Sequence, residues 1–409
     1  MPYGWLVAYS REMHASAGRR VPYLSSRLQG LGTSVFAEMS ALADRTGAIN
    51  LGQGFPDRDG PAEVADAAVA AIRAGRNQYP PATGIPELRH AIAAHQDRFY
   101  GIEVDPDAEV LVTAGATEAI TAAILALCET GDEVVVFEPF FDTYPAAIAM
   151  AGAQRHVVPL EGPDWTFDPA RLESAVTART RLILLNTPHN PTGKVFTMGE
   201  LETIAAVCQA HELLAVTDEV YEHLVFEGCH VPLCTLPGMA ERTLTISSGG
   251  KTFGFTGWKV GWVCGPAALV SAVRTVKQFL TYVNAAPLQP AVAVGLGLPD
   301  EYFAAAAASL RSGRDRLCAG LAESGFEVFQ PHATYFVIAG VTGLDATDGV
   351  AFSRELPDRC GVVAIPAAAF YDDPRQPRPL VRFAFCKQPD VLDEAVRRLR
   401  GLRRPAGSA

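Results

Sequence analysis

Lys251 is the residue whose surroundings most invite chemistry. It sits in Ser247-Ser248-Gly249-Gly250-Lys251-Thr252-Phe253, among small residues that let a ligand come close to the backbone. A lysine so placed can form an imine with an aldehyde cofactor, or it can be a solvated surface group. The adjacent glycines suggest a nucleotide loop, but a phosphate-cradling P-loop needs glycine where Thr245 stands. Asp218 directly follows the apolar run 213–217. A buried carboxylate needs a cationic partner or takes up a proton. A protonated pyridine nitrogen is one such partner; the plainer use of Asp218 is a helix N-cap.

Asn190 lies in Asn186-Thr187-Pro188-His189-Asn190-Pro191-Thr192-Gly193-Lys194, a stiff loop in which His189 reads as support. Its amide can donate to a phenolic ring oxygen or serve ordinary turn chemistry. Gly115-Ala116-Thr117 opens a helix after a strand. The free N–H groups and dipole there suit a phosphate, with Ser248 and Lys259 adding hydroxyl and charge. Arg382 is a lone cation in Val381-Arg382-Phe383-Ala384-Phe385. Its acceptor is either a substrate carboxylate, bound bidentately, or an internal Asp or Glu.

These residues need a frame. Short β-rich runs at 109–113, 133–137, 181–185, 213–217 and 243–247 alternate with helical patterns, such as Ile120, Ile124 and Leu127 on one face and residues 200–210. Near-continuous apolar strands separated by helices predict an α/β architecture: a mostly parallel sheet sandwiched by helices. The polar and Gly-rich segments all follow strand carboxyl ends, the edge where open α/β sheets bind ligands. After about Pro299 the pattern changes to an Ala-rich helix over 302–321. Strands follow at 326–329, 335–338, 361–364 and 380–385, a smaller α+β domain.

The chain has 409 residues, about two or three domains at roughly 150 residues each. Hydrophobic residues at 49% and charged residues at 19% exclude intrinsic disorder. A formal net charge of -11 disfavours nucleic acid and anionic membrane as partners. Eight cysteines are too dilute for a disulfide scaffold and point to a reducing, cytoplasmic compartment. His223, Cys229, His230 and Cys234 lack the paired spacing of a zinc site, so no metal is expected. The first twenty residues read as a flexible tail, and Met13 is an alternative start to Met1. No apolar run is long enough to cross a membrane.

Taken in order, these pieces resemble the pyridoxal-phosphate-dependent aminotransferases of fold type I, class I/II. The resemblance rests on Asn50-Leu51-Gly52-Gln53-Gly54-Phe55-Pro56-Asp57, Asn77-Gln78-Tyr79-Pro80, the 186–194 loop, 217–221, 247–262 and 381–387, and spans 21–402. It implies domains at 21–60 (an arm and part of the small domain), 61–300 (large, cofactor-binding) and 301–409 (small). It also implies that Lys251 carries pyridoxal 5′-phosphate and shuttles the substrate α-proton. Asp218 would bind the ring nitrogen, Asn190 and Tyr221 the phenolic oxygen, and Phe141 would stack on the ring. Ala116, Thr117, Ser248 and Lys259 would hold the phosphate, and Gly54, Asn190 and Arg382 the substrate carboxylate. Tyr79 would reach the neighbouring subunit's cofactor, which implies a homodimer with shared sites.

Two subfamilies are most similar. One is the N-succinyldiaminopimelate aminotransferases of lysine biosynthesis, through Val35-Phe36-Ala37-Glu38-Met39-Ser40, Asn77-Gln78-Tyr79-Pro80-Pro81 and Pro287-Leu288-Gln289-Pro290. The other is the kynurenine/glutamine aminotransferases with cysteine-conjugate β-lyase activity, whose pocket aromatic and His residues are replaced here by Asn284 and Ala285. The implied reaction moves an amino group from an L-amino acid to a 2-oxo acid such as 2-oxoglutarate. A methionine-type donor, dominant β-elimination and a non-catalytic dimeric scaffold stand as alternatives.

Overall fold

The computed structural model describes residues 24–29 and 35–403. The expected N-terminal tail, the choice between Met1 and Met13, and part of the 21–60 segment lie outside the described residues. The strands, in chain order, are β1 (Ile49–Asn50), β2 (Val110–Thr113), β3 (Glu133–Glu138), β4 (Gln154–Pro159), β5 (Thr180–Asn186), β6 (Leu214–Asp218), β7 (Thr243–Ser248) and β8 (Gly261–Cys264). They continue with β9 (Glu327–Phe329), β10 (Phe336–Gly340), β11 (Val362–Val363), β12 (Ile365–Pro366) and β13 (Leu380–Ala384).

Seven strands form the central sheet in the order β2-β8-β7-β6-β5-β3-β4. The four pairs from β7 to β4 are parallel, and β8 alone runs against both of its neighbours. The runs at β2, β3, β5, β6 and β7 fall where their apolar character predicts, because both faces of these strands are covered. One face packs on the helices Gly115–Leu127, Thr143–Ala151 and Ala267–Leu280; the other packs on Met198–Ala210. Sequence reading missed β4, whose first half is exposed, and β8, which is short and hidden in a Gly-rich stretch.

The C-terminal strands form a separate antiparallel sheet, β12-β13-β10-β9, leaning on the 24-residue helix Asp300–Glu323 and on Pro389–Leu399. The strand expected at 361–364 is divided. β11 pairs with β1 in parallel, β12 pairs with β13 antiparallel, and Ala364 is the break. One straight segment cannot serve two ladders in different sheets, so the chain bends between them. Among the described residues no helix is long and apolar enough to cross a membrane.

Candidate active site

The carboxyl ends of β2, β3, β5, β6 and β7 converge on a cavity of about 340 Å³, a volume suited to a small molecule. Gly54, Ala116, Thr117, Phe141, Asn190, Asp218, Tyr221, Ser248, Lys251, Lys259 and Arg382 all line it. Register brings them together: Asn186 lies beside Asp218, and Ser248 beside Gly261.

One end is built for an anion. Helix Gly115–Leu127 starts where β2 stops, and Gly115 makes the reversal with φ 74°. A Cβ on Gly115 would lie 3.2 Å from Nζ of Lys259, so any other residue would push that ammonium aside. Lys259 Nζ donates to Thr117 Oγ1 at 3.4 Å. First-turn N–H groups, the Thr117 and Ser248 hydroxyls and one ammonium therefore face the same corner.

At the middle stands Lys251, in the single-turn helix Gly249–Thr252. Its Nζ donates to the Tyr335 hydroxyl at 3.1 Å, and that hydroxyl donates to Gly54 O at 2.7 Å. Burial pushes the Lys251 amine down to about 8, with Lys259 and Arg382 acting the same way against Cys386 and Asp218. At pH 7 roughly a tenth of it is then neutral and nucleophilic.

Asp218 ends β6 with its side chain 5% exposed. The N-cap alternative does not hold, because the chain turns after Asp218 and the next helical turn begins only at Leu233. Asp218 Oδ2 instead accepts a 2.7 Å hydrogen bond from the hydroxyl of Tyr144. Burial raises the carboxyl to about 6, while Tyr144, the Val220 N–H and Lys251 hold it back. Tyr221 packs edge-on against Tyr335 at 5.3 Å between centroids, and burial keeps its phenol protonated.

Arg382 is buried in β13 and enclosed by the rings of Phe336, Phe370 and Phe36, with its guanidinium carbon 3.8, 4.6 and 5.3 Å from their centroids. Nη1 donates to Asn190 Oδ1 and Nη2 to Gly52 O, each at 3.0 Å. Among the described residues no carboxylate pairs with it, so the internal Asp/Glu alternative fails; Asp142 acts only from farther off. Among the described residues its Nε is buried without a hydrogen-bond partner.

His189 bonds Thr192 Oγ1 at 2.8 Å inside its own loop, and burial pushes it down to about 3. Tyr79 stands apart: 81% exposed, edge-on to Tyr282, it does not line this cavity. Sequence reading missed Tyr144 and Tyr335. Each carries its hydroxyl on an otherwise apolar run, and a polar tip at the mouth of a buried element was the available signal.

A buried amine, a buried carboxylate and an anion corner can together seize a carbonyl compound that carries a phosphate and a protonated ring nitrogen, and the guanidinium beside them can take a carboxylate. Comparison with known proteins decides the family. Residues 46–399 match the model for "Aminotransferase class I and II". The chain belongs to the class I and II aminotransferases.

This aminotransferase is 53% identical over 393 residues to a probable N-succinyldiaminopimelate aminotransferase, DapC, of Mycobacterium tuberculosis, covering 93% of this chain and 99% of that one. A solved structure of N-succinyldiaminopimelate aminotransferase from that organism aligns with a TM-score of 0.91 over 93% of this chain and 100% of the other. A methionine aminotransferase of Escherichia coli is 40% identical over 378 residues, covering 92% and 98%. The mouse kynurenine–oxoglutarate transaminase 3 is 40% identical over 401 residues, covering 91% and 88%. The fold-type I resemblance read from the sequence holds, and the chain is an enzyme rather than a bare scaffold.

Proposed function

We propose that this aminotransferase uses pyridoxal 5′-phosphate to exchange an amino group between N-succinyl-LL-2,6-diaminopimelate and the glutamate/2-oxoglutarate pair in lysine biosynthesis. The observation that carries the cofactor is Lys251 Nζ and the Asp218 carboxylate in one cavity, flanked by the Gly115–Thr117 helix start. When bound, the cofactor supplies an aldehyde for amines and a ring that accepts electrons. Lys251 holds the cofactor and afterwards carries the proton to and from the substrate α-carbon. Tyr335 orients the Lys251 amine from the Gly54 side. Asp218, steadied by Tyr144, keeps a proton on the ring nitrogen. Asn190 offers its amide and Tyr221 its hydroxyl to the phenolic oxygen, and Phe141 covers the ring face. Ala116, Thr117, Ser248 and Lys259 hold the phosphate. Arg382, with Asn190 and Gly54, takes the substrate carboxylate through a guanidinium already oriented by its aromatic cage.

The same reading makes residues 61–300 the cofactor-binding domain and 301–409, with part of 21–60, the smaller one. A homodimer with shared sites is supported by exposed apolar side chains: Val69, Ile72, Phe279, Leu280, Tyr282 and Tyr79. Tyr79 then serves the partner's cofactor. Free cysteines, most of them buried, support a cytoplasmic setting.

The substrate choice rests on 53% identity to the mycobacterial protein, against 40% to the methionine and kynurenine enzymes. Asn284 also stands where the kynurenine enzymes carry pocket side chains, with its amide bonded to Thr113 O at 2.9 Å. A half-reaction screen tests this, following the cofactor's visible absorption with succinylated diaminopimelate, glutamate, glutamine, methionine and kynurenine. Fast conversion by the succinylated substrate is expected; fast conversion only by methionine or kynurenine, or release of a β-leaving group as the main event, overturns the choice.

A further inference from the structure

Behind the cavity lies a second polar cluster that transamination does not use. His95, from helix Pro86–Tyr100, meets Glu222 and His223, from the turn after β6, and their ligating atoms all lie within 4.8 Å of one another. We propose that these three residues bind one divalent first-row transition cation of the Zn²⁺ type.

Two imidazole nitrogens already converge: His95 Nε2 and His223 Nε2 are 2.6 Å apart, close enough that one proton sits between them. Two Zn–N bonds at a tetrahedral angle require roughly 3.3 Å between the nitrogens, so exchanging that proton for a cation asks for less than about 1 Å of opening.

Glu222 supplies the charge. It is 5% exposed and among the described residues forms no ion pair with Arg or Lys. The Ser247 hydroxyl donates to its Oε1, and the Tyr100 hydroxyl to its Oε2 at 2.8 Å. Two donors fill about half of a carboxylate's lone-pair sites, so each oxygen can still bind a metal. These are the outer hydrogen bonds that orient ligands in metal sites. Phe303, 4.3 Å from His223, and Phe99, 4.9 Å from His95, keep the surroundings apolar. Arg98, whose charge is felt by both rings, is already paired with Asp300. Two His and one carboxylate leave a further position for water.

The cluster was not readable locally. His95 is distant in sequence, and the His/Cys group at 223–234 disperses: His230 pairs with Glu219 at 2.7 Å, and Cys229 is exposed. Glu222 follows Tyr221, and Ser247 precedes Ser248, so a bound cation would brace two walls of the cavity.

The test uses cofactor-loaded enzyme stripped with a chelator and titrated with Co²⁺, read by d–d absorption and by metal content after dialysis. One equivalent per chain is expected, displaced by Zn²⁺ and accompanied by a rise in melting temperature. His95→Gln and Glu222→Gln should weaken binding at least about tenfold. Tyr100→Phe, which keeps every ligand, should weaken it about tenfold through the lost outer hydrogen bond and guards against a ligand variant that fails to fold. His230→Asn should leave binding unchanged. Wild type without d–d bands, or a Co²⁺ affinity left unchanged in the folded His95→Gln or Tyr100→Phe variant, overturns the site and leaves a proton-sharing cluster.

Discussion

The hydroxyl of Tyr144 donates a 2.7 Å hydrogen bond to Oδ2 of Asp218, fixing that carboxylate in the wall of the cavity. Burial and the charge of Asp218 raise the Tyr144 phenol well above its usual range, so it stays a donor across the working pH. Tyr144→Phe removes a hydrogen bond to a charged group, a loss of about 1.5–3 kcal/mol. We expect affinity for pyridoxal 5′-phosphate to fall roughly ten- to a hundredfold, measured by fluorescence titration of cofactor-free protein. Unchanged affinity would show that Asp218 needs no such support.

Asp218 also makes stability depend on pH. Its folded value near 6 exceeds the ordinary 3.8, so between these the folded chain binds more protons than the unfolded one. The stabilisation is complete below about pH 4 and is lost as pH rises through about 6. A shift of about two units corresponds to about 3 kcal/mol. In cofactor-free protein, urea unfolding from pH 4 to 7 should show wild type losing that much relative to Asp218→Asn. A flat difference between the two would contradict the buried, unpaired carboxylate.

For Lys251, a value near 8 rather than 10.5 means that cofactor capture speeds up with pH and levels off above about 8. Stopped-flow mixing with pyridoxal 5′-phosphate checks the profile; a rise continuing to pH 10 would place the amine in an ordinary environment. Borohydride should fix the cofactor onto the Lys251 peptide in wild type and onto no peptide in Lys251→Ala, read by mass spectrometry.

Arg382→Lys keeps a charge but loses the planar fork that Asn190 and Gly52 hold. We expect retained cofactor and a ten- to hundredfold fall in kcat/KM, equivalent to about 1.5–3 kcal/mol. Normal kinetics in the variant would remove Arg382 from substrate binding.

Tyr335→Phe removes the hydroxyl linking Lys251 Nζ to Gly54 O. Because the residue acts through the lysine, kcat should fall by about tenfold or more with KM nearly unchanged. A change confined to KM would instead assign Tyr335 to substrate contact.

The sequence by itself determined the strand–helix alternation and the binding edge. Apolar runs such as those at β5, β6 and β7 must be covered on both faces, and the polar residues that follow them then have one sheet edge to occupy. It also marked Asp218 and Arg382, since a charge beside an apolar run requires a partner, and Lys251, since its small neighbours let a ligand reach the backbone. Only the tertiary structure decided which partner each charge has. Tyr144 reaches Asp218 across 74 positions, Tyr335 reaches Lys251 across 84, and Arg382 meets Asn190 across 192. No local pattern encodes such pairs, because they arise when separate strands are set side by side. The division at Ala364 and the meeting of His95 with His223 have the same origin: backbone and side-chain groups are satisfied by whatever packing brings near, not by what precedes them in the chain.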